Sequence, residues 1–323
     1  MSRSLKKIAI VVAAFLLVLG SLPFMGLTGV KAADSSMVNK DKITIGTLKN
    51  TAAIPATMAK DNSEFNRNNV DADTKAYDSN TELNEGIKNG EVSFATTDLV
   101  NYAALVKANP SWKIVGTLPG YYGLVANKSI KSVKSLKGKT IAIDKKDGTK
   151  QYLNSFLKKN KMKFSSVKIK QIDSDSARVD ALKSGEINAA VVSDPSISNA
   201  KGNGAKILNR QKINADNGQV LIANTKVTKK NTAATQIIVS TMDTEIKNMD
   251  KMAGYGVAGA ALRDFGINDK GAKDITKLDV NFKKIHKVKK SDFNKAFKYA
   301  KSQKLYKGKI SYKANTLKVK GVK

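Results

Sequence analysis

The chain has 323 residues, and its 57 basic residues against 27 acidic residues give a net charge of +30. It contains no cysteine and one histidine, which excludes thiol catalysis, cysteine-ligated metal sites and a lipid-modified cysteine. Nucleic-acid-binding proteins often contact bases through the planar guanidinium group of arginine and through exposed aromatic side chains. Here nearly all basic residues are lysines and only 6% of residues are aromatic, so we expect no nucleic-acid partner.

The N-terminus has the pattern of a secretory signal peptide. Arg3, Lys6 and Lys7 precede an apolar stretch over residues 8–22, and an A-x-A-like segment ends at Ala32. The stretch is shorter than the roughly 20 residues that span a bilayer, although an uncleaved anchor is the alternative. We therefore predict export with cleavage after Ala32, to the cell surface or wall or to a periplasm.

The predicted mature chain keeps 53 basic and 27 acidic residues, a net charge of +26. Residues 283–323 alone contain fifteen lysines and one acid, Asp292. A surface of this kind is attracted to anionic polymers of the cell envelope, and plain solubility is the alternative explanation.

Strand patterns alternate with helical patterns after residue 32, which predicts an α/β fold with largely parallel sheets. In the first part of the chain the predicted strands are residues 42–47, 70–77, 92–95 and 112–118. The predicted helices between them are residues 55–65, 79–90 and 99–108, and the second begins at the capping box Ser79-Asn80-Thr81-Glu82.

The same alternation continues to the end of the chain. The middle part predicts strands at 123–127, 139–143, 167–172, 187–192 and 205–208, with helices at 133–136, 149–160 and 177–184 and a further helix beginning at Pro195. A strand at 220–224 is followed by helices at 233–249, 252–265 and 292–303. Two extended crossings, near 118–123 and 217–224, would join two lobes and act as a hinge.

Several phrases in this order resemble a known family. They are Ile45-Gly46 with Pro55-Ala56 and Phe65, residues 83–94 (LNEGIKNGEVSF), residues 132–139 (SVKSLKGK), residues 180–189 (DALKSGEINA) and Asp194-Pro195. Together they resemble the sulfonate/nitrate/thiamine-precursor branch of ABC-transporter substrate-binding proteins, from Lys42 to about Ile310. The resemblance implies the two-lobed type 2 periplasmic-binding-protein fold, in which each lobe is a mostly parallel sheet flanked by helices and two strands form the hinge.

This fold divides the chain into four parts. Residues 1–32 are the signal peptide, 33–122 the first part of lobe I, 123–216 lobe II, and 217–323 the second part of lobe I with a basic C-terminal helical tail. The resemblance also implies a monomer that captures a small organic ligand between the lobes and delivers it to an ABC permease of the cytoplasmic membrane.

The ligand site would be lined by loops at the carboxyl ends of strands and by helix starts, where unpaired N–H groups are available. The residues that we predict to contact the ligand are Thr47, Asn50, Thr51, Ser79, Asn80, Thr97, Asp98, Tyr121, Gly148, Thr149 and Asp194. Helix capping alone would explain Ser79, Thr97 and Asp98. A turn with Pro195 is the usual role of an aspartate in the position of Asp194 and is the alternative to ligand contact there. Tyr121 either stacks on a flat ligand or fills the hinge.

The ligand's chemistry stays open at this point. Ser193 replaces the aromatic residue often found before the second-lobe Asp-Pro, and Leu48-Lys49-Asn50-Thr51 replaces a glycine-rich phrase. A sulfonate-like anion suits the predicted helix start at Gly148-Thr149. The acidic residues Asp98, Asp147 and Asp194 instead suit a cationic or zwitterionic heterocycle, as in a thiamine precursor.

Two other functions compete with transport. Relatives that synthesise the thiamine pyrimidine are expected to need a cysteine-rich motif and histidine, and this chain has no cysteine and one histidine in its tail, so we predict no enzyme and no cofactor. The other alternative is a wall-associated interaction protein that retains the binding fold without transport.

Overall fold

Ten β-strands in two five-stranded sheets frame the part of the chain that the structure, a computed structural model, describes: residues 37–39 and 41–323. The predicted signal peptide over residues 1–32 lies outside these described residues. The strands are β1 (Ile43–Leu48), β2 (Ala72–Tyr77), β3 (Phe94–Asp98), β4 (Trp112–Thr117), β5 (Tyr122–Ala126), β6 (Thr140–Ile143), β7 (Lys168–Gln171), β8 (Ala189–Ser193), β9 (Lys206–Arg210) and β10 (Gln219–Asn224).

Helices connect the strands and cover both sheets. They are α1 (Ile54–Asp61), α2 (Glu64–Arg67), α3 (Asn80–Lys88), α4 (Leu99–Leu105), α5 (Gly148–Lys159), α6 (Asp175–Ser184), α7 (Ser196–Gly202), α8 (Thr225–Lys230), α9 (Thr232–Lys251), α10 (Gly259–Asp264), α11 (Asp269–Ile275), α12 (Lys290–Ser302) and α13 (Tyr312–Asn315). No helix within residues 37–39 and 41–323 is both long enough and apolar enough to cross a bilayer.

The two sheets repeat one topology. The first has the order β2-β1-β3-β10-β4 and the second β7-β6-β8-β5-β9. In the first sheet β10 runs antiparallel to both of its neighbours, and in the second β5 does the same. Each of these strands directly follows a crossing from the other sheet, so the chain arrives reversed. The predicted mostly parallel α/β architecture is confirmed, with one antiparallel strand in each sheet.

Two crossings link the sheets, as the predicted hinge requires. The first joins β4 to β5 over residues 118–121, and the second joins β9 to β10 over residues 211–218. Near the second crossing, the backbone N–H of Leu118 donates to Gln219 at 2.9 Å, which pairs the two connections.

Helix α11 follows the last strand but packs against α7, which belongs with the second sheet. The side chain of Asn199 in α7 donates to the carbonyl of Gly266 at 2.9 Å and accepts from the N–H of Asn268 at 3.0 Å. A Cβ on Gly271 would come within 2.3 Å of Asn199 Oδ1, so the two helices approach at a glycine. The protein thus has two halves, one built around the first sheet and one around the second, and the final third of the chain contacts both.

Aliphatic and aromatic residues fill the interior around both sheets. All five residues of β3, β5 and β8 are buried, which is expected for strands covered by helices on both faces. The C-terminal residues close the edge of the first sheet, because the N–H of Leu317 donates to the carbonyl of Ile114 in β4 at 2.8 Å. An edge strand covered in this way is protected from pairing with other chains.

Candidate functional site

A small cavity of about 50 Å³ lies between the two sheets, where strand ends and helix starts from both halves meet. Its lining is mostly polar. From the first half come Leu48, Lys49, Asn50, Asp78, Ser79, Asn80, Gln219 and Phe265, and from the second half Tyr122, Asp147, Thr149, Asp173, Asp175, Ser176, Arg178, Ser193 and Ser196.

The start of α3 supplies Ser79 and Asn80 to this cavity. The Ser79 hydroxyl accepts from the N–H of Glu82 at 3.2 Å and so caps the helix. The side-chain amide of Asn80 donates to Asp147 Oδ2 in the other half at 3.2 Å. Thr97 lies behind, where its hydroxyl donates to Asn80 Oδ1 at 3.1 Å. Thr97 therefore holds the Asn80 amide in the orientation that reaches across the cleft.

Asp98 ends β3 and caps α4. Its Oδ1 accepts from the N–H groups of Val100 at 2.8 Å and Asn101 at 3.0 Å. The N–H of Gly148, the first residue of α5 in the other half, also points at this carboxyl. Burial raises the pKa of Asp98 to about 6 against these donors, and the negative charge of Asp144 adds to the rise.

The second half brings a matching carboxyl at the start of α5. Asp147 caps this helix by accepting from the N–H of Thr149 at 2.8 Å and from its hydroxyl at 2.6 Å. Burial raises the pKa of Asp147 well above its usual value, and the nearby charges of Asp98 and Asp144 raise it further. Two buried carboxyls from opposite halves thus face each other across the cleft.

Arg178 in α6 is the buried cation of the site. It is 2% exposed, forms an ion pair with Asp175 and donates to the carbonyl of Ile172 at 2.7 Å. Burial acts to lower its pKa, but the surrounding carboxylates outweigh burial and raise it, so the guanidinium stays charged. Its buried Nε has no hydrogen-bond partner among the described residues.

The charges of the lining do not balance. The two cations, Lys49 and Arg178, are both engaged, because Lys49 lies 2.6 Å from Asp78 and Arg178 pairs with Asp175. Asp147 and Asp173 have no cation within ion-pair distance among the described residues. The lining therefore has four carboxyl groups against two cations, and the Asp98 carboxyl lies nearby.

A larger open groove of about 760 Å³ adjoins the cavity. Tyr122 borders both spaces, and Asp98 and Gly148 border the groove. The rings of Tyr152 and Phe156 line one side, stacked at a centroid distance of 6.2 Å. Tyr122 is the residue that the two linings share, so the two spaces lie next to each other at its side chain.

Of the eleven predicted ligand contacts, Asn50, Ser79, Asn80 and Thr149 line the cavity, and Asp98 and Gly148 line the groove. Thr47 is buried, and its hydroxyl lies 3.4 Å from the carbonyl of Lys75. Thr97 stands behind Asn80. These positions do not by themselves identify ligand contacts, so the predicted set stays a prediction.

The remaining three predicted residues form a separate buried group. Tyr121 donates its hydroxyl to Asp194 Oδ2 at 2.8 Å, and the N–H of Thr51 donates to the Asp194 carbonyl at 3.0 Å. Asp194 also accepts from the N–H of Ser198 at 2.8 Å and lies 3.4 Å from Arg210. Burial raises the pKa of Asp194, and Arg210 opposes the rise. This group ties the first loop of one half to a strand end of the other.

Sequence reasoning missed Arg178 and Asp173 as lining residues. The available clue was local: Asp173, Ser174 and Asp175 follow a strand and precede a helix, the same arrangement that singled out Ser79 and Asp98. Arg178 carried no such clue, because a lone arginine in a helical pattern is usually exposed. Only the packing of α6 against the cleft buries it.

The described residues contain no group of three or more histidine, cysteine, aspartate or glutamate side chains placed to hold a metal ion. The single histidine, His286, lies outside the cavity lining. Its Nδ1 is 2.9 Å from the Thr117 hydroxyl and its Nε2 is 3.2 Å from Asp216.

Two sheets of this repeated topology, joined by two crossings around a polar cleft, define the fold of the two-lobed periplasmic binding proteins. The chain belongs to the NMT1/THI5-like family, whose model matches residues 50–249. The predicted family resemblance and fold class are both confirmed. A search of curated proteins finds no match.

Solved structures with this fold include three that cover most of the chain. The alkanesulfonate-binding protein SsuA of Xanthomonas axonopodis pv. citri, bound to MOPS, is 16% identical with a TM-score of 0.71, over 85% of this chain and 98% of that one. SsuA of Escherichia coli is 17% identical with a TM-score of 0.68, over 86% and 98%. The ligand-binding component of an ABC-type import system of Staphylococcus aureus is 14% identical with a TM-score of 0.75, over 86% and 97%. At these identities the likeness shows the fold alone.

Proposed function

We propose that this chain is an extracytoplasmic solute-binding protein that captures a small organic ligand between its lobes and delivers it to an ABC importer. The family and the fold support this proposal, since similar structures include binding proteins of import systems. The observation that carries it is the polar cavity to which both halves contribute. A ligand held there would bridge the halves and favour the closed arrangement.

The charge of the lining favours a cationic or zwitterionic nitrogen compound over a sulfonate. Asp147 and Asp173 lack a cation, whereas Lys49 and Arg178 are already paired. The N-terminus of α5, which would attract an anion, already faces the carboxyl of Asp98. An aminopyrimidine of the thiamine-precursor type would supply the N–H donors that these carboxylates accept.

The lobes must part to admit such a ligand. A space of about 50 Å³ holds only a few water molecules, whereas pockets for organic ligands measure roughly 300–1,000 Å³. Separation of Asp98 from Gly148 would join the cavity to the adjacent groove and provide the missing volume. We infer that the ligand's charged end lies in the cavity and its apolar part extends towards Tyr122.

We also propose binding without chemical conversion. The buried carboxyls of Asp98 and Asp147 are occupied as helix caps. His286 pairs with Thr117 and Asp216 away from the cavity. The acidic side chains of the site therefore hold helix starts in place, and Asp147 also accepts from the Thr149 hydroxyl, which supports binding without conversion.

A ligand screen tests the proposal. Aminopyrimidines, betaines, amino acids and alkanesulfonates are added to the purified chain, and thermal unfolding is followed by calorimetry. A ligand at 100 times its Kd adds about 2.7 kcal/mol to the free energy of unfolding. We expect stabilisation by an aminopyrimidine or another nitrogen cation. Stabilisation by alkanesulfonates alone would disprove the proposed ligand class but keep the binding function.

The variant Asp147→Asn sharpens this test, because asparagine keeps the cap of α5 and removes the charge. We expect the variant to bind the cation at least about tenfold more weakly, a loss of about 1.4 kcal/mol. Asp269→Asn in α11, an exposed first-turn position outside the lining, is the matched control and should bind like the parent chain.

The second candidate is a wall-associated interaction protein that kept the fold without transport. The +26 charge of the predicted mature chain and the absence of a cysteine for lipid anchoring favour it. Permease and ATPase genes beside the gene for this chain would favour transport. Their absence, together with no stabilising ligand in the screen, would favour the wall-associated protein.

A further inference from the structure

The last 41 residues, 283–323, form what we call the basic segment. It contains fifteen lysines, no arginine and one acid, so its side chains carry a net charge of +14. All fifteen lysines are exposed. These lysines are more than a quarter of the 53 basic residues of the predicted mature chain, and Asp292 is the one acid among them.

The basic segment is a folded surface. Helix α12 packs on α4, where the rings of Phe297 and Tyr102 meet edge to face at 6.0 Å. The N–H of Lys287, near the start of the basic segment, donates to the carbonyl of Lys323 at 2.9 Å and so holds the last residue against the start of the segment. The lysines are therefore displayed from a fixed backbone.

Within α12 the lysines share one side. At 100° per residue, positions 290, 295, 298 and 301 fall within an arc of about 140°, and the buried Phe293 and Phe297 lie outside it. The helix thus turns its apolar side to α4 and presents a continuous stripe of ammonium groups to solvent.

Little in the protein neutralises this charge. Of the fifteen lysines of the basic segment, only Lys283 and Lys289 have an acid of the described residues within 4.0 Å, and both share Asp216. Like charges at this density repel each other and oppose the compact state. A bound polyanion would remove that cost.

The chemistry of the basic segment narrows the partner. A lysine ammonium group is a point charge on a flexible side chain, whereas the planar guanidinium group of arginine binds an anion in one fixed geometry through two parallel hydrogen bonds. Its aromatic residues are buried or half-buried, so none is free to stack on a nucleic-acid base. The exposed large apolar residues of the described chain are Met37, Val38 and Met252, so the basic segment has none to insert into a membrane.

We propose that the basic segment binds a phosphodiester polymer of the cell envelope and holds the protein at the surface while the cleft stays free. This inference rests on the extracytoplasmic location in the proposed function. A phosphodiester chain suits it because its charges recur along a flexible backbone, so each ammonium group can meet a phosphate without a fixed register.

Binding to poly(glycerol phosphate) tests the proposal, measured by titration of the purified chain at 50 to 200 mM salt. Release of counterions gives a slope of about −0.7 per phosphate contact in a plot of log K against log salt for a flexible polyanion. Five contacts would weaken binding about 100-fold over this range. Ligand binding in the cleft is measured separately, so its failure leaves this test intact.

A charge-matched pair of variants locates the surface. The first carries glutamine at six lysines of the basic segment: 290, 295, 298, 301, 307 and 309. The control carries glutamine at six exposed lysines of the second half: 128, 131, 134, 137, 139 and 163. We expect the first to bind at least about tenfold more weakly than the control, with equal thermal midpoints showing that both fold.

Three outcomes would overturn the proposal. Equal loss in the two variants would mean that net charge alone drives binding. Binding that does not change with salt would exclude the ionic mechanism. Tighter binding to vesicles containing one-third phosphatidylglycerol than to the polymer would assign the surface to the membrane instead.

Discussion

Asp98 caps a helix, and its carboxyl is also buried close to other carboxyls. Its carboxyl accepts from two N–H groups at the start of α4, which stabilises that helix. It also lies near Asp144 and Asp147, in a buried space that it shares with the Tyr122 hydroxyl and the N–H of Gly148. Because burial and like charge disfavour its ionised form, the closed cleft stores unfavourable energy at neutral pH.

The pH dependence of stability should reveal this energy. The pKa of Asp98 rises from 3.8 to about 6 on folding, so the folded chain holds more protons between these values. The contribution of the protonated Asp98 carboxyl to the free energy of unfolding is fully present below about pH 4 and is lost as pH rises through 6. Asp98→Asn keeps the cap without the charge. We expect it to remove up to about 3 kcal/mol of the fall in unfolding free energy between pH 4 and 7, measured by denaturant titration.

The pKa of a neighbouring carboxyl is shifted in the same direction as that of Asp98. Burial raises the pKa of Asp147 too, so the two residues titrate together and the variant removes only part of the slope. If Asp98→Asn and the parent chain give parallel pH profiles, the carboxyl of Asp98 is not strained in the folded protein.

Single-residue predictions succeeded where the cause is local. Capping was expected for Ser79, Thr97 and Asp98 whether or not they contact a ligand. Ser79 and Asp98 do cap helices, whereas Thr97 donates to Asn80 instead. Capping depends on residues two or three positions away, so the sequence contains the needed information. Arg178 could not be found in this way, because its burial depends on how α6 packs in the folded protein.

At the scale of elements, the start of α5 packs against the end of β3 in the other half. A Cβ on Gly148 would lie 2.9 Å from the Tyr122 hydroxyl and 3.2 Å from Asp98 Oδ1. The Tyr122 hydroxyl belongs to the same half as Gly148 and Asp98 belongs to the other half, so glycine is favoured here both by packing within its own half and by the approach of the other half. The helix itself would accept alanine, which has the higher helix propensity.

Gly148→Ala should accordingly separate closure from folding. We expect the variant to fold, with an unfolding temperature lowered by no more than a few degrees because the Tyr122 ring must shift, while binding the cleft ligand at least about tenfold more weakly, a difference of about 1.4 kcal/mol. Gly259→Ala is the matched control, since its Cβ would meet only the flexible end of Arg263 at 3.5 Å. Unchanged ligand affinity in Gly148→Ala would show that this contact does not limit closure.

Two predicted helices differ from the structure for tertiary reasons. Residues 55–65 were expected as one helix, but the chain breaks where Ser63 adopts a left-handed conformation with φ of 57°. This break lets the side chain of Phe65 reach the core, where it is 1% exposed. The predicted helix at 252–265 instead begins as a 3-10 turn after Gly254, whose φ is 56°.

For the whole molecule, the lack of cysteine provides a clean background for measuring lobe motion. Probes attached to cysteines at Lys88 and Lys183, both exposed and in opposite halves, report the distance across the cleft. We expect one narrow distance with ligand and a broader distribution without it, measured by pulsed electron paramagnetic resonance, because a bridging ligand favours one arrangement.

Probes at Lys88 and Lys107, both in the first half, provide the control and should give one distance in both states. The contact of α11 with α7 joins the final third of the chain to the second half. A hinge motion of the halves must therefore change the backbone next to α11 as well as at the two crossings. Identical distributions across the cleft with and without ligand would argue against a hinge.

The sequence by itself determined the α/β alternation, the two crossings, the helix caps and the lysine-rich surface. Each of these depends on neighbouring residues or on composition, which folding does not change. Only the tertiary structure decided that Asp98 would face the N–H of Gly148, that Arg178 would be buried in an acidic cavity and that α11 would pack on α7. The contacts of Asp98 with Gly148 and of α11 with α7 join residues 50 or more positions apart. All three features form because packing of the two halves brings strand ends and helix starts into one space that no local pattern describes.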